Sequence, residues 1–370
     1  MFHRFDRSGL LPSKTVLSVF EDDAKQVWVG TQEGLVRLSK TPVSLLPLPG
    51  SSDPDYATIS SATNGDIWAV SSRVYKIQKG IARSYTFPQL PNVPVRTVFQ
   101  ASDGSLWIGT DGDGVYHLSG KTVSHFVAPT TLSNNSVRAF LEARDGTLWV
   151  GMDDGLSHIS HGTVRNYGVQ DGLAYFSTRA LLQARDGDLW IGTERGVSHM
   201  RDGRFLQDAV TQALAQEKVW SILQDSSGAL WFGTRNHGLF RYAYGRLVQY
   251  TTAQGRTSNS IYQLLEHRGS LWISSQNTIS SFSLNQLGDA MGAQQLAVES
   301  YEMPYNAEGA SPTGAGSPQA ASESTASSGS PAARELSASC PIPASISLLP
   351  AKSFSRQPST AGSCHGNSTR

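Results

Sequence analysis

The sequence predicts an all-β protein: a seven-bladed β-propeller of four-stranded antiparallel blades over residues 1–302, followed by a disordered C-terminal tail over residues 303–370. Three observations support this prediction. A tryptophan motif recurs at a nearly constant interval, four strand-like runs fill each interval, and the composition changes abruptly after the seventh interval. Short antiparallel strands in groups of four, repeated every ~41 residues, are the pattern expected of a propeller.

The tryptophan motif takes forms such as LWIGT, LWVGM and LWFGT. Successive copies are separated by 40, 39, 42, 41, 41 and 41 residues, and only Trp220 lies outside the series. The motif tryptophans are Trp28, Trp68, Trp107, Trp149, Trp190, Trp231 and Trp272. A fixed interval of this size indicates units that bury their apolar faces by stacking on one another. Because identical placements suit packing, we predict that these indoles lie in the core.

Each repeat contains four apolar runs in the same order. The first, as in VRAFLE, is joined by an Asp-Gly turn to the tryptophan motif, and a third run such as GLFRY and a fourth such as RLVQYT follow. The runs are short, rich in β-branched and aromatic residues, and bounded by turn-forming residues, which is typical of strands. They lack the three-to-four spacing of apolar residues that a helical solenoid requires.

Two segments compete for the fourth strand of the last blade. The N-terminal FHRFDRSGLLPSKTV matches VSHFVAPTTLSNNSV, since in both the Phe (Phe5, Phe126) precedes the strand-opening Val (Val16, Val137) by eleven positions. The N-terminal segment would then close the ring. The segment LAVESYEM, near residues 296–303, stands where the last repeat's own fourth strand is expected. The sequence leaves both alternatives open.

The tail is dominated by Ser, Ala, Gly and Pro without periodicity, so it buries too little apolar surface to offset the entropy of ordering. A second interpretation is a shifted reading frame. Codons TCT GGT TCC CC for Ser328 to Pro331, read one base earlier after a C, encode Leu-Trp-Phe-Pro, which resembles another motif copy. The nucleotide sequence across codons 295–370 distinguishes the two interpretations.

The charge balance excludes attraction to polyanions through a net field. Lys plus Arg and Asp plus Glu both number 30, and the isoelectric point is about 7.1. Neither nucleic acid nor an anionic membrane is therefore a predicted partner. No stretch approaches the ~18 apolar residues of a membrane span, and the N-terminus lacks an apolar signal core, so the chain as written is expected in the cytoplasm. Both cysteines, Cys340 and Cys364, lie in the tail.

The candidate ligand site is the column formed by the second residue of each first strand. If that strand is innermost, as is usual in propellers, these side chains surround one mouth of the central channel. The column contains Leu17, Arg96, Arg138, Arg179, Trp220 and Tyr262. Arginines beside aromatic rings are suited to bind a carboxylate, a sulfated or uronic sugar, or a partner's acidic loop. The alternative is that each arginine pairs with a local acid such as Glu142 and stabilises blade contacts.

Three loops that precede first strands are expected on the same rim. They carry Asn134 and Asn135 in TLSNNS, Tyr175 and Phe176 in DGLAYFS, and Arg256 and Asn259 in QGRTSNS. Polar and aromatic loops on a rigid scaffold often form recognition surfaces. We therefore predict that these residues contribute to the same ligand site.

One position of the third strand is histidine in three consecutive repeats, at His117, His158 and His199. Zinc ligands lie about 2 Å from one ion, whereas equivalent positions of neighbouring blades diverge. Elsewhere the position is basic, so we interpret it as a solvated basic column; its other members are Arg37, Lys76 and Arg241. The DGDG stretch at residues 111–114 lacks the spacing of a calcium loop. No metal site, cofactor or catalytic residue is predicted.

The recurrence of LW(I/V/F)GT, followed by GL or GV and a basic residue, resembles the two-component regulator propeller repeat over residues 1–302. That repeat builds the extracytoplasmic sensor region of bacterial hybrid histidine kinases and related sensor kinases or diguanylate cyclases. The resemblance implies a non-catalytic, ligand-binding input region in the periplasm, with a possible homodimer in the parent sensor. In that family a β-sandwich, a membrane span and an output domain follow, and this chain shows none of their motifs. We therefore expect a truncated sensor.

Two other classes of function remain open. A propeller enzyme, a lyase or hydrolase acting at the channel mouth, would need a histidine or carboxylate in the column that holds arginine, tryptophan and tyrosine. A protein-interaction scaffold would use the same rim. The expected partner is a small molecule or saccharide, or a neighbouring sensor domain.

Overall fold

The computed structural model describes residues 16–21, 27–31, 34–38, 58–62, 65–70, 73–78, 81–254, 258–275, 278–287 and 296–302. The chain divides after Ser44 into two compact units. The N-terminal closing segment before Val16, the tail over residues 303–370 and the loop residue Arg256 lie outside the described residues.

The first unit contains a three-stranded antiparallel sheet made by the first repeat. Its strands are β1 (Val16–Glu21), β2 (Val27–Thr31) and β3 (Gly34–Leu38), paired in the order β1-β2-β3. The tryptophan motif of this repeat forms β2, as its alternating β-branched residues predict.

The second unit is a β-propeller of four-stranded antiparallel blades, which we number 2 to 7 by repeat. Blade 2 contains β4 (Thr58–Ser61), β5 (Ile67–Val70), β6 (Val74–Gln78) and β7 (Ile81–Tyr85). Blade 3 contains β8 (Val95–Gln100), β9 (Leu106–Thr110), β10 (Val115–Ser119) and β11 (Thr122–Phe126). Blade 4 contains β12 (Val137–Glu142), β13 (Leu148–Met152), β14 (Leu156–Ser160) and β15 (Thr163–Tyr167).

The remaining blades keep the same order, with one short helix added. Blade 5 contains β16 (Thr178–Gln183), β17 (Leu189–Thr193), β18 (Val197–Arg201) and β19 (Arg204–Leu206), followed by helix α1 (Ala209–Ala213). Blade 6 contains β20 (Val219–Gln224), β21 (Leu230–Thr234), β22 (Leu239–Ala243) and β23 (Arg246–Tyr250). Blade 7 contains β24 (Gln263–His267), β25 (Ser270–Ser274), β26 (Thr278–Ser283) and β27 (Glu299–Glu302).

The part of the chain that the structure describes has six four-stranded blades. The predicted count of seven four-stranded blades is therefore wrong for the described residues. The first repeat contributes only three strands, and its fourth run is expected within residues 39–57, which are not described. The fourth position of blade 7 is taken by its own segment, because β27 pairs with β26, as in Ile279 with Tyr301. The alternative in which the N-terminal segment fills that position is therefore wrong.

The first strand of each blade packs against the first strand of the next, from β8 through β12, β16 and β20 to β24. This arrangement agrees with the prediction that the first strand is innermost. The glycine of the tryptophan motif faces the neighbouring blade at this contact. A Cβ at Gly151 would lie 2.7 Å from Thr178 Cγ2, and one at Gly192 would lie 2.6 Å from the Val219 carbonyl oxygen. In blades 3 to 6 the motif therefore has glycine here because a Cβ would overlap the next blade.

Replacing this glycine is expected to destabilise the propeller. Gly151→Ala should lower the free energy of unfolding by about 1–3 kcal/mol, since the new methyl group overlaps Thr178 Cγ2. Thr178→Ser removes that methyl group, so urea denaturation of the double variant should show a loss smaller than the sum of the single losses. Gly192→Ala with Val219→Ala should show less relief, because the substitution removes the Val219 Cγ1 contact at 3.0 Å but leaves the shorter contact with the backbone carbonyl oxygen at 2.6 Å. Strict additivity at Gly151 and Thr178 would contradict the assigned contact.

The motif tryptophans pack in the core between successive blades, as predicted. Trp107 of blade 3, for example, belongs to one apolar cluster with Phe140 and Val150 of blade 4. In blades 2 to 6 the motif indoles are no more than 9 % exposed. Trp28 carries no described side chain, and Trp272 is partly exposed.

Hydrogen bonds also join the turns between the first and second strands of neighbouring blades. Ser102 of blade 3 donates from its backbone N and its Oγ to the carboxylate of Glu142 in blade 4, at 2.8 and 2.6 Å. Arg144 of blade 4 donates to the carbonyl oxygens of Ala184 and Arg185 in blade 5, at 2.6 and 2.9 Å. Glu142 therefore links two blades through a serine, and the suggestion that it pairs with a column arginine is wrong.

Candidate functional site

The predicted column coincides with a β-bulge that recurs at the start of the first strand. In blades 3 to 6 the pairing of the first and second strands shifts by one residue at this point, for example between Val137 and Ala139. The bulged residues are Arg96, Arg138, Arg179 and Trp220. A bulge redirects the side chain of the extra residue, which explains why these large polar and aromatic groups are tolerated in an inner strand.

A column of acids, which the sequence reasoning missed, faces the arginines. It consists of the residue that directly follows the tryptophan motif, namely Asp111, Asp153 and Glu194. Arg96 Nη1 lies 3.2 Å from Asp111 Oδ1 and 3.2 Å from Asp153 Oδ2, while Arg138 Nε contacts Asp153 Oδ1. The constant offset from the motif was the signal that would have revealed these acids. The arginines therefore pair with local acids, as the alternative interpretation held. The acids are Asp111, Asp153 and Glu194 instead of Glu142.

The surroundings of Asp153 stabilise its ionised form. Burial by itself would raise the pKa of Asp153, but the hydrogen bond and charge of Arg138, together with the charges of Arg96 and Arg179, bring that pKa below its usual value. Asp153 is therefore a fixed anion that holds two guanidinium groups of adjacent blades at one point of the rim.

Arg179 occupies a different environment from the other two arginines. Its Nε lies 2.6 Å from Glu194 Oε1 without the alignment of a hydrogen bond, and its side chain is only 17 % exposed. Trp220 Nε1 donates to the same Glu194 oxygen at 3.1 Å, and Lys218 Nζ lies 3.5 Å from Glu194 Oε2. Burial and the charge of Arg138 lower the pKa of Arg179, while Glu194 acts in the opposite direction.

Aromatic and cationic groups continue this arrangement into blades 6 and 7. The ring of Trp220 stacks on that of Tyr262, with centroids 5.4 Å apart and an interplanar angle of 27°. The guanidinium carbons of Arg235 and Arg179 lie 5.0 and 5.8 Å from the Trp220 ring centroid. The structure therefore brings Arg179, Trp220 and Tyr262 together, as the column predicted.

The rim loops differ in what their side chains do. Tyr175 and Phe176 lie against each other with centroids 4.0 Å apart and ring planes tilted by 31°, and Phe176 is 43 % exposed. Asn134 and Asn135 instead accept backbone hydrogen bonds from Ser136 and Ala128 at 2.7 Å. Asn259 repeats the second pattern by accepting from the backbone N–H of Thr252 at 3.0 Å. The three asparagines thus hold their loops in shape, whereas the aromatic pair presents a surface.

An open cleft of about 560 Å³ lies between these features in blades 4 to 6. It is lined by Asp153, Tyr175, Phe176, Ser177, Arg179, Glu194, Arg195, Gln216 and Lys218. Three predicted site residues, Tyr175, Phe176 and Arg179, therefore share one cavity of the size that small ligands occupy. Sequence reasoning missed Arg195, Gln216 and Lys218. Arg195 lies in the hairpin between β17 and β18, and Gln216 and Lys218 lie in the loop before β20.

The histidine column packs against the motif tryptophans. His117, His158 and His199 stack on Trp107, Trp149 and Trp190 at centroid distances of 3.8, 4.1 and 4.0 Å. The interpretation of this column as solvated is wrong, because His199 and Arg241 are only 6 % and 8 % exposed. Within the described ranges no three His, Cys, Asp or Glu side chains are placed to hold a metal ion.

Four of the repeats match a known family of repeats. The sequence model described as "Two component regulator propeller" matches residues 89–112, 131–154, 173–195 and 213–236. These segments are two component regulator propeller repeats, so the resemblance predicted from the sequence is confirmed there. A search of curated proteins gave no match.

Solved structures show the same fold. The extracellular domain of the putative hybrid two component system BT3049 from B. thetaiotaomicron is 18 % identical with a TM-score of 0.60, covering 79 % of this chain and 41 % of that one. That of BT4673 from the same organism is 16 % identical with a TM-score of 0.55, covering 80 % and 43 %. Virginiamycin B lyase from Staphylococcus aureus is 15 % identical with a TM-score of 0.55, covering 70 % and 87 %.

The chain spans about two fifths of the length of the two sensor domains. Among the described residues no helix is long and apolar enough to cross a membrane.

Proposed function

We propose that this chain is the input propeller of a two-component-type sensor and binds a small ligand without changing it chemically. The observation that carries the proposal is the cleft, in which Arg179, Phe176 and Lys218 converge on one cavity. The matched repeats and the similarity to extracellular domains of hybrid two component systems support a sensory role. The same similarity supports a location outside the cytoplasm, and a kinase or cyclase output would belong to the longer parent protein.

The cleft favours binding over catalysis. None of the residues that line it is a histidine, and both of its carboxylates are occupied by cations: Asp153 by Arg138 and Arg96, and Glu194 by Arg179. A general acid or base needs a group that is free to exchange a proton with a substrate. The lyase among the structural neighbours makes an enzyme the alternative that the experiment must separate.

A thermal-shift screen of the full chain tests this proposal. A panel of amino acids, sugars, short peptides and organic acids is expected to contain a compound that raises Tm, since a ligand at 100 times its Kd adds about 2.7 kcal/mol to stability. Nuclear magnetic resonance of the compound after overnight incubation should show it unchanged. Consumption of the compound would establish the enzyme alternative, and a panel without any stabilising compound would end the proposal.

The exposed aromatic at the cleft provides a matched variant. Phe176→Ala should weaken binding of the stabilising compound by about 3-fold to 10-fold, the usual range for loss of one ring contact. Tyr244→Ala removes an aromatic that is 74 % exposed and does not line the cleft, so isothermal titration should give it an unchanged Kd. Equal effects of the two substitutions would place the ligand elsewhere.

A further inference from the structure

The cleft carries a surplus of positive charge, although the chain as a whole has equal numbers of acidic and basic residues. Three cations line it, Arg179, Arg195 and Lys218, against two carboxylates, Asp153 and Glu194. Asp153 is already bonded to two further guanidinium groups outside the lining. The local charge is therefore positive even when every ion pair is formed, and it favours an anion.

Two of the arginines have hydrogen-bond donors to spare. The ion pair of Arg179 with Glu194 is formed at Nε, and its terminal nitrogens make no hydrogen bond within the described chain. Arg195 donates through Nε to Gln216 Oε1 at 2.8 Å, and its terminal nitrogens likewise lack a described partner. A guanidinium fork matches the two oxygens of a carboxylate, so these are suitable donors for such a group.

The cleft also has an exposed aromatic ring, that of Phe176, whose backbone is held in a fixed position. The Phe176 carbonyl oxygen accepts from Gly155 N at 2.6 Å, and the Ser177 carbonyl oxygen accepts from Glu194 N at 3.1 Å. Because the backbone at Phe176 and Ser177 is bonded to the hairpins of blades 4 and 5, the exposed face of Phe176 is available without reordering the loop. Aromatic faces favour stacking against flat rings.

We propose that the cleft binds a small aromatic carboxylate, with the carboxylate against Arg179 and Arg195 and the ring against Phe176. The proposal rests on the proposed function, because it names the ligand class of the same cleft. A carboxylate supplies the charge that the cations lack, and a flat ring uses the one exposed aromatic among the residues of the lining. A cavity of about 560 Å³ accommodates such a molecule.

Isothermal titration of the full chain with three probes tests the ligand class. 4-Hydroxybenzoate has both features, 4-hydroxybenzamide lacks the charge, and cyclohexanecarboxylate lacks the flat ring. The acid should bind roughly 10-fold or more tightly than the amide, because hydrogen bonds to charged groups contribute the larger share of polar binding energy. It should also bind about 3-fold or more tightly than the saturated acid.

Substitutions locate the site. Arg179→Lys keeps the charge and removes the fork, and Arg195→Gln changes an exposed side chain that the fold does not need. Each should weaken 4-hydroxybenzoate by roughly 10-fold while leaving the amide unchanged. Arg246→Gln removes an exposed arginine of blade 6 outside the cleft and should leave both Kd values unchanged.

The ligand class is wrong if none of the probes binds, if acid and amide bind equally, or if Arg246→Gln has the same effect as Arg195→Gln. These comparisons hold even if Arg179→Lys fails to fold, because the probe series uses the unaltered chain and Arg195 is exposed. A neutral compound from the screen that binds at Phe176 would overturn this inference while leaving the sensory function standing. A screen without any ligand would remove both.

Discussion

Trp231→Ala is expected to lower the free energy of unfolding by about 4 kcal/mol, measured by urea denaturation at neutral pH. Trp231 is fully buried, and its ring lies 6.1 Å from Tyr250 and 6.0 Å from Phe282 of the next blade. Its Nε1 donates to Asp225 Oδ2 at 2.7 Å, and Asp225 is itself 1 % exposed. Truncation therefore opens a cavity between two blades and removes a donor from a buried carboxylate.

Trp231→Phe separates these two causes, because it retains an aromatic ring in the core and removes only the N–H donor and part of the volume. We expect it to lose about 2 kcal/mol, roughly half of the alanine effect. A loss below about 1 kcal/mol for Trp231→Ala would contradict the role of the motif indole as the contact between blades, since core truncations of aromatic residues rarely cost so little.

The interval of the tryptophan motif was sufficient to predict the strands and their antiparallel order, because each repeat must contribute the same unit to a stack. The number of complete blades was not predictable in the same way. The described part of the first repeat contributes three strands, so the tryptophan interval alone does not give the number of four-stranded blades. Nor does a repeat count say whether the N-terminal segment or residues 299–302 supply the fourth strand of blade 7. Pairing of β27 with β26 decided between them through contacts that the sequence does not encode locally.

The position of the candidate site was more predictable than its chemistry. Counting along the first strand identified Arg96, Arg138 and Arg179, but the bulge at these positions arises from strand pairing and leaves no mark in a residue count. The acids Asp153 and Glu194 lie at a fixed offset from the motif, so comparing that position between repeats would have found them. A bound ligand must therefore either compete with the ion pairs that these two acids form or bind beside them.

The histidine column shows how one residue type in one repeated position acquires different roles. His117 Nε2 has no hydrogen-bond partner within the described chain, and His158 Nε2 lies 2.8 Å from Thr147 Oγ1. His199 lies between two carboxylates, with Nε2 2.6 Å from Asp188 Oδ2 and Nδ1 2.6 Å from Asp208 Oδ2. Each ring nitrogen of His199 thus has a carboxylate oxygen at hydrogen-bond distance, and an imidazole donates from both nitrogens only in its doubly protonated form.

Two local changes produce this cluster. The residue before the motif is Ser105 in blade 3 and Thr147 in blade 4, but it is Asp188 in blade 5. Asp208 comes from the segment that begins α1, where its Oδ1 accepts from the backbone N–H of Val210 and Thr211 at 2.9 Å. The cluster therefore connects the third strand of blade 5 to the start of a short α-helix, where blades 4 and 6 have the 3-10 turns Val169–Asp171 and Thr252–Gln254.

His199→Leu is expected to lower the free energy of unfolding by about 3 kcal/mol at pH 7, since it leaves two carboxylates without their shared hydrogen-bond partner. Asp188 keeps its bond to Arg201, whose Nη2 lies 2.6 Å from Asp188 Oδ2, which limits the loss. The bond from Arg201 and that from His199 lower the pKa of Asp188, and His199 also helps to lower that of Asp208 against the effect of burial.

The sign of the pH dependence follows from these directions. A carboxyl whose pKa is lowered in the folded state contributes stability that is present above its unfolded pKa of about 3.8 and is lost as the pH falls through the lower folded value. In His199→Leu only the backbone N–H donors of Thr211 and Val210 still oppose burial at Asp208, so its pKa rises and it takes up its proton at a higher pH than in the parent chain. The carboxyl contribution to the difference in unfolding free energy between the two proteins should therefore shrink as the pH is lowered from about 5 towards 4.

A double-mutant cycle with Asp208→Asn isolates the pair, because asparagine retains an oxygen that can cap α1. The coupling free energy between His199 and Asp208 should be about 1–2 kcal/mol at pH 7. It should fall steadily at lower pH as the carboxyl in the His199→Leu protein is protonated. A coupling near zero at pH 7 would mean that the imidazole does not hold Asp208. The stacking of His199 on Trp190 would then account by itself for the position of this histidine in the column. A coupling that is large and independent of pH would instead point to a hydrogen bond between uncharged groups, which the two carboxylate contacts of His199 argue against.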